Sequence, residues 1–250
     1  MRRPSLSTLS NISIAPKLGQ RAAADAIHAQ RQKGSVIAVV ANGKGGVGKS
    51  TLVLNLSIAF VGRKKRVLII DADIEQKTAC KWPRPAGLAG PVVVSWQTGE
   101  IVERLARVIE QYDVVLIDLA GRDDRAAAPV MAIADMLISP TKPSHQDLFE
   151  LDRFIQVAKA KKIPHLVVFN EATREMTLEL AQLVDEFARF KPFLPTAIQQ
   201  LTAYRRAYAY GRSVLEYKGP HPAKQNFERV FTQIDAAIDR VRAKAGMPRS

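Results

Sequence analysis

An α/β fold built on a mainly parallel, doubly wound sheet is the class this sequence predicts, and three observations predict it. From residue 35 onward, apolar runs of strand length alternate with stretches of helical period. Alternation of that kind implies right-handed βαβ crossovers, with helices covering both faces of the sheet. The first run, Val36-Ile37-Ala38-Val39-Val40, leads into a glycine-rich loop and then at once into a helical pattern. Two later runs end in aspartate, at Asp71 and at Asp118. Ligands of such sheets sit at the carboxyl ends of the strands, so the loop and the two aspartates point to one place.

The elements follow in order. Residues 1–34 are rich in Ser, Ala, Gln and basic residues and poor in large apolar groups. They read as a basic, partly disordered extension, within which 20–32 is able to form a short helix. The remainder, 35–250, is long enough for one sizeable core and reads as a single domain. Strands are expected over 36–41, 66–71, 91–95, 113–118, 135–139 and 165–170, with a short seventh near 194–198. Helices are expected over 49–62, 98–110, 125–133, 147–161, 173–190, 200–210 and 223–244. The last of these carries Phe227, Val230, Phe231, Ile234, Ile238 and Val241 on one stripe, which suits packing on the sheet.

The loop after the first strand reads Gly43-Lys44-Gly45-Gly46-Val47-Gly48-Lys49-Ser50-Thr51. Gly43 through Ser50 meets G-x-x-x-x-G-K-[ST], the pattern of a phosphate-binding loop. Glycines let successive backbone N–H groups converge on phosphate oxygens, and the helix N-terminus adds its positive end. Lys49 is placed to reach the β- and γ-phosphates, and Ser50 to ligate Mg²⁺.

Lys44 is a second lysine at the start of that loop. The box K-G-G-x-G-K-[ST] is a deviant Walker A motif, and with it the chain resembles the ParA/MinD family of dimeric ATPases, in the SIMIBI class of P-loop NTPases. The likeness is greatest to short plasmid-partition ParA proteins without an N-terminal helix-turn-helix domain. It implies ATP and Mg²⁺ as cofactors and an ATP-dependent sandwich dimer in which Lys44 reaches the partner's nucleotide. It also implies slow intrinsic hydrolysis, stimulated by a partner protein.

Further stretches extend the resemblance from residue 35 to about 245. Arg66-Val67-Leu68-Ile69-Ile70-Asp71-Ala72-Asp73 ends in two aspartates one residue apart, on the same side if the strand continues. The family has D-x-D-P-Q here. In this chain Ile74-Glu75-Gln76 follows Asp73, so the proline is missing, and Trp82 lies one residue beyond the family's spacing. The resemblance gives Asp73 the task of orienting the attacking water and Asp71 a structural or Mg²⁺-side role. Whether Gln76 acts stays open. Tyr112 through Asp118 has the Walker B form, with Asp118 holding Mg²⁺ through water. Leu119-Ala120-Gly121 is similar to the D-x-A-G variant of short ParA proteins, where Gly121 allows a mobile loop sensing the γ-phosphate. Pro140 through Leu148 is similar to the family's P-x-x-P-S-x-x-D-L segment, and Asn170 matches an asparagine that contacts adenine in relatives.

Charge is lopsided, with 37 Lys+Arg against 24 Asp+Glu and a formal net charge of +13; the pI is near 10.0. That balance favours polyanionic partners: DNA, RNA or an anionic membrane. Arg205, Arg206 and Arg212 are interleaved with Tyr204, Tyr208 and Tyr210, a composition suited to phosphate contact. In the family, basic residues of this region bind DNA without sequence preference. Cys80 is the only cysteine, so no intrachain disulfide can form, which suits a reducing cytoplasm. No stretch approaches the length of a membrane span. Arg2 and Arg3 are not followed by an apolar region, so no secretory leader is expected.

The resemblance therefore implies a DNA-partition ATPase, cytoplasmic and nucleoid-associated, working with a centromere-binding ParB-like partner. Relatives position chemoreceptor arrays, microcompartments or conjugative-transfer complexes by the same cycle, which is the alternative reading. A MinD-like membrane-associated ATPase is a weaker alternative, because the last helix is needed to cover the core. A redox relative such as the nitrogenase iron protein needs more cysteines per subunit than Cys80 supplies. A bacterial tyrosine kinase of this fold carries a C-terminal tyrosine cluster, and the last 33 residues here contain no Tyr.

Overall fold

A computed structural model describes residues 19–119, 124–173 and 176–248. Its strands are β1 (Val36–Val40), β2 (Val67–Asp71), β3 (Val92–Ser95), β4 (Val114–Asp118), β5 (Met136–Thr141) and β6 (His165–Phe169). They form one sheet in the order β3-β2-β4-β1-β5-β6. Every neighbouring pair is parallel. The helices are α1 (Gln20–Gln32), α2 (Lys49–Gly62), α3 (Ile101–Ala106), α4 (Asp124–Ala132), α5 (His145–Ala160), α6 (Thr177–Glu186), α7 (Thr202–Ala209) and α8 (Pro222–Lys244).

The period-two alternation of the strands sorts them between two cores. Ile37, Val39, Leu68, Ile70, Val115 and Ile117 face one apolar cluster, which also takes in residues of α1, α3, α4 and α5. Val36, Ala38, Val40, Val67, Ile69, Val114 and Leu116 face the other, with α2, α7 and α8. All residues of β1, β2 and β4 are buried. A parallel strand covered on both faces is expected to be nearly all apolar, and these are up to the aspartates that end β2 and β4. α2 lies between the sheet and α8, and Leu52 through Phe60 are buried without interruption. The stripe of α8 packs as expected: Phe227, Val230, Ile234 and Ile238 are fully buried, and Val241 lies against the same cluster. Among the described residues, no helix is long and apolar enough to cross a membrane.

Three expectations change. The short seventh strand near 194–198 is not a strand but a pair of isolated bridges, Val167 with Phe193 and Ala172 with Gln199. Pro192 and Pro195 interrupt the ladder there, since neither has an N–H to donate. The helix expected over 98–110 is broken into α3 flanked by single 3₁₀ turns at Thr98–Glu100 and Ile109–Gln111. Part of the stretch set apart as an extension belongs to the domain. α1 buries Ala23 and Ile27 completely in the first core, and Arg31 pairs with Asp135 at 2.9 Å. Its composition hid this, because a single Ala and a single Ile at the buried positions do not make a recognisable core-facing stripe.

The far end of the sheet holds a network of buried charge. Asp135 precedes β5, and its Oδ2 accepts from the Ile37 amide at 2.8 Å. Its Oδ1 accepts from Arg31 and from Arg242 Nη1 at 3.0 Å. Arg242, fully buried in α8, also donates to the carbonyls of Ser35, Arg31 and Pro248.

Candidate functional site

The site is built at the carboxyl ends of β1, β2 and β4. Register places Val40 opposite Asp118 and Asp118 opposite Asp71, so the phosphate loop and both carboxylates meet side by side. The loop's glycines are required by conformation. Gly46 and Gly48 take φ of +73° and +95°, values that side chains with a Cβ rarely adopt. A Cβ on Gly48 would also lie 2.1 Å from the Asn170 amide nitrogen.

Asn42, absent from the expected set, braces the loop. Fully buried, it donates to the Pro140 carbonyl at 2.8 Å and accepts from the Lys44 amide at 2.9 Å. Its place right after a buried strand was the available signal. Asn170 does the same from the other side, donating to the Val47 carbonyl at 2.8 Å.

Lys49 folds back on the loop, donating to the Lys44 carbonyl at 3.0 Å. Burial pushes its pKa down, against the opposing pull of Asp118 and Asp73. Asp118 is 2% exposed, hydrogen-bonds Ser50 and leaves Oδ2 without a partner. Burial pushes its pKa up to about 7; Asp71 and Asp73 add to the rise, while Ser50 and Lys49 oppose it. A glycine cradle, a lysine spent only on a backbone carbonyl, and a buried carboxylate with an orphan oxygen beside a serine fit a magnesium-bound polyphosphate.

Asp71 is placed differently from a metal ligand. Its Oδ1 accepts from the Asp73 amide at 3.2 Å and its Oδ2 from the Cys80 amide at 3.0 Å. Asp73 lies past the end of β2, not on it. Its Oδ1 accepts from the Gln76 amide at 3.0 Å and its carbonyl from the Lys77 amide at 2.7 Å. The two aspartates are thus linked through backbone, and the second stands in the irregular stretch 72–91.

Lys44 is not free. Its Nζ pairs with Asp147 at 3.0 Å, and Asp147 lies in the first turn of α5, where Ser144 is the N-cap. Sequence quoted Asp147 only as part of a segment, without a role. Gly121 lies outside the described residues.

A cleft of about 300 Å³ runs from Gly48 and Thr51 past Asn170 and Glu171 to Gln199, Gln200, Tyr204, Arg205 and Tyr208. The arginine strip is therefore split. Arg205 faces this cleft, while Arg206 and Arg212 line a groove of about 1090 Å³ with Tyr210, Lys218 and His221. The reason is helical geometry, which turns neighbours on α7 about 100° apart. Of the tyrosines, Tyr204 and Tyr208 are half-buried anchors and Tyr210 is 73% exposed. Among the described residues the three arginines enter no ion pair.

Comparison with known proteins agrees with this geometry. Residues 38–214 match the sequence profile of the CobQ/CobB/MinD/ParA nucleotide binding domain. The chain is 30% identical over 210 residues to "Maintenance of carboxysome distribution protein A" of Gloeobacter kilaueensis, covering 80% of this chain and 94% of that relative. It is 24% identical over 197 residues to "Protein ParA" of Rhizobium radiobacter, covering 73% and 86%. Among solved structures, the cell division ATPase MinD of Pyrococcus furiosus superposes with a TM-score of 0.67 at 19% identity, covering 81% of this chain and 99% of that one.

Proposed function

Because this chain belongs to the family of CobQ/CobB/MinD/ParA nucleotide-binding domains, we propose that it is a ParA-type ATPase that positions a cargo by cycling between an ATP-bound dimer and a released monomer. The observation that carries this reading is the pair of lysines in one phosphate loop, Lys49 turned inward and Lys44 held at its rim by Asp147. A lysine at the rim can turn to a second copy of the chain by exchanging Asp147 for the partner's nucleotide. Lys49 and the loop amides hold the phosphates, Ser50 and Asp118 hold the metal, Asp73 orients the water, and Asn170 contacts the base. Mg²⁺, when bound, neutralises charge shared by the β- and γ-phosphates. The protein's contribution is placement and charge rather than covalent chemistry.

The relatives support a protein assembly as cargo, since the carboxysome-distribution relative is matched over more of its length than the ParA relative. Plasmid or chromosome partition with a ParB-like partner is the second reading, favoured by that ParA likeness. Both need a matrix to move on, and the net charge of +13 supports nonspecific DNA. Arg206 and Arg212 are its contacts, in the groove that also offers Lys218. Arg205 is assigned to the nucleotide side.

The test is duplex binding with ATP and with ADP. ATP should produce a dimer and sharply tighter binding to DNA of any sequence. With two arginines in each of two subunits, replacing Arg206 and Arg212 by Ala should flatten the slope of log affinity against log salt by about 3 to 4. Equal binding in ATP and ADP would sink the switch, and an unchanged slope would move the DNA surface elsewhere.

A further inference from the structure

The stretch 72–91 carries Asp73 but has no helix or strand of its own. It is held by the buried side chains of Ala79 and Trp82 and by three polar anchors along its length. Near the site, the Cys80 amide donates to Asp71 Oδ2 at 3.0 Å. In the middle, the Tyr208 hydroxyl donates to the Thr78 carbonyl at 3.0 Å. At the far end, Arg84 grips both oxygens of Glu216, at 2.6 and 2.8 Å, and donates to the Gly211 carbonyl at 3.1 Å. Gly211, with φ of +62°, sits so close to Pro83 that a Cβ would lie 2.0 Å from the Pro83 carbonyl oxygen. Two of the three anchors therefore come from α7 and the turn that follows it.

We infer that Tyr208 is a positioning residue for hydrolysis, setting the two strand-end aspartates through the backbone of Thr78 to Cys80. The path is short and rigid. Thr78 is held by the Tyr208 hydroxyl, Ala79 is 1% exposed, and the Cys80 amide fixes one oxygen of Asp71. The other oxygen of Asp71 fixes the Asp73 amide at 3.2 Å. The hydroxyl is suited to the task, because burial and the nearby charge of Asp71 push its pKa up and keep it a donor. Tyr208 also lines the cleft beside Gly48 and Thr51, so α7 touches the nucleotide side and the hydrolytic side together. The Ala72 amide, bonded to the Asp118 carbonyl at 3.0 Å, fixes the start of the stretch, and Tyr208 fixes its middle. This inference rests on hydrolysis at the phosphate-loop site and is independent of DNA or cargo.

Tyr208→Phe removes the hydroxyl and keeps the ring. At saturating ATP and Mg²⁺, kcat should fall roughly 5- to 10-fold, the equivalent of one hydrogen bond, with KM within about 2-fold. The thermal midpoint should fall by no more than about 2–4 °C, since one hydrogen bond is lost and the ring keeps its packing. Hydrogen exchange at the amides of 78–80 should accelerate in the ligand-free variant, while the amides of 43–51 keep the parent's rates. An unchanged kcat overturns the inference. So does a raised KM with kcat intact, which would put the hydroxyl on the nucleotide. The exchange measurement needs no turnover and so separates this inference from the hydrolysis reading. Parent-like exchange at 78–80 in Tyr208→Phe overturns the positioning role even if the parent protein hydrolyses nothing.

Discussion

Asp118 and Asp135 are each 2% exposed, at opposite ends of one sheet, and each stands near cations. Asp135 is satisfied by its own chain. Two arginines and the Ile37 amide take its oxygens. Asp118 keeps an orphan oxygen, and the lysine beside it spends its hydrogen bond on a carbonyl. A buried carboxylate closed by the protein is a fastening; one left open beside a serine and a lysine is a place for a ligand. Burial alone does not separate the two cases, and the partner count does.

The comparison can be broken from either end. The largest effect is expected at Lys49. Lys49→Ala should weaken nucleotide binding by at least about 100-fold, since a charge-assisted contact to phosphate is lost, and calorimetric titration would read it. Its unfolding midpoint in the absence of nucleotide should stay close to the parent's.

Asp135→Ala should do the reverse. It strands Arg242 without its carboxylate in a buried site, a loss of about 3–5 kcal/mol by denaturant unfolding. The fraction that remains folded should bind nucleotide as the parent does. A mild stability loss there would mean that the far end is not a fastening.

Asp118 sharpens the contrast through pH. Its pKa rises from 3.8 to about 7 in the ligand-free protein. Between those values the folded state holds a proton that the unfolded chain has released, so stability should fall as pH climbs through that window. The whole effect is at most about 4 kcal/mol. Asp118→Asn should remove most of the slope, leaving the smaller part that burial of Asp71 contributes in the same direction, raise stability near pH 8 and remove the Mg²⁺ dependence of ATP binding. Denaturant unfolding at pH 5 and 8, without nucleotide, measures it.

The smallest effect is at the rim. Asp147→Asn keeps the contact with Ser144 but releases Lys44 from its own chain. An exposed-edge ion pair is worth about 1 kcal/mol, so ATP-dependent dimerisation should begin at a several-fold lower protein concentration. Light scattering against concentration reads the shift. Lys44→Ala should instead bind ATP and stay monomeric.

The difference between the ends also explains what the sequence made legible. That Gly43 to Thr51, Asp71 and Asp118 meet at the strand ends was readable, because each belongs to one local pattern, a strand running into a loop. Arg31, Asp135 and Arg242 were not, because the partners lie 104 and 107 positions apart and each looks like ordinary surface charge. The split of Arg205 from Arg206 was readable in principle from the helical period; composition alone suggested one strip. Asp147 and Tyr208 act through contacts with residues far off in the chain, Lys44 and Thr78, and no periodicity marks such a pair.

The Arg242 contact has a consequence for synthesis. Its guanidinium meets the Arg31 carbonyl across 211 positions. Every element of the phosphate loop, the strand-end aspartates and the sheet leaves the ribosome before Arg242 does. Up to that moment Asp135 lacks one of its two cations, and the Ser35 carbonyl lacks the donor Arg242 gives it. Contacts of such span close late, because the entropy of the intervening loop must be overcome first. The far end of the sheet is therefore closed by the last part of α8, and its buried charges are complete only once that helix has docked.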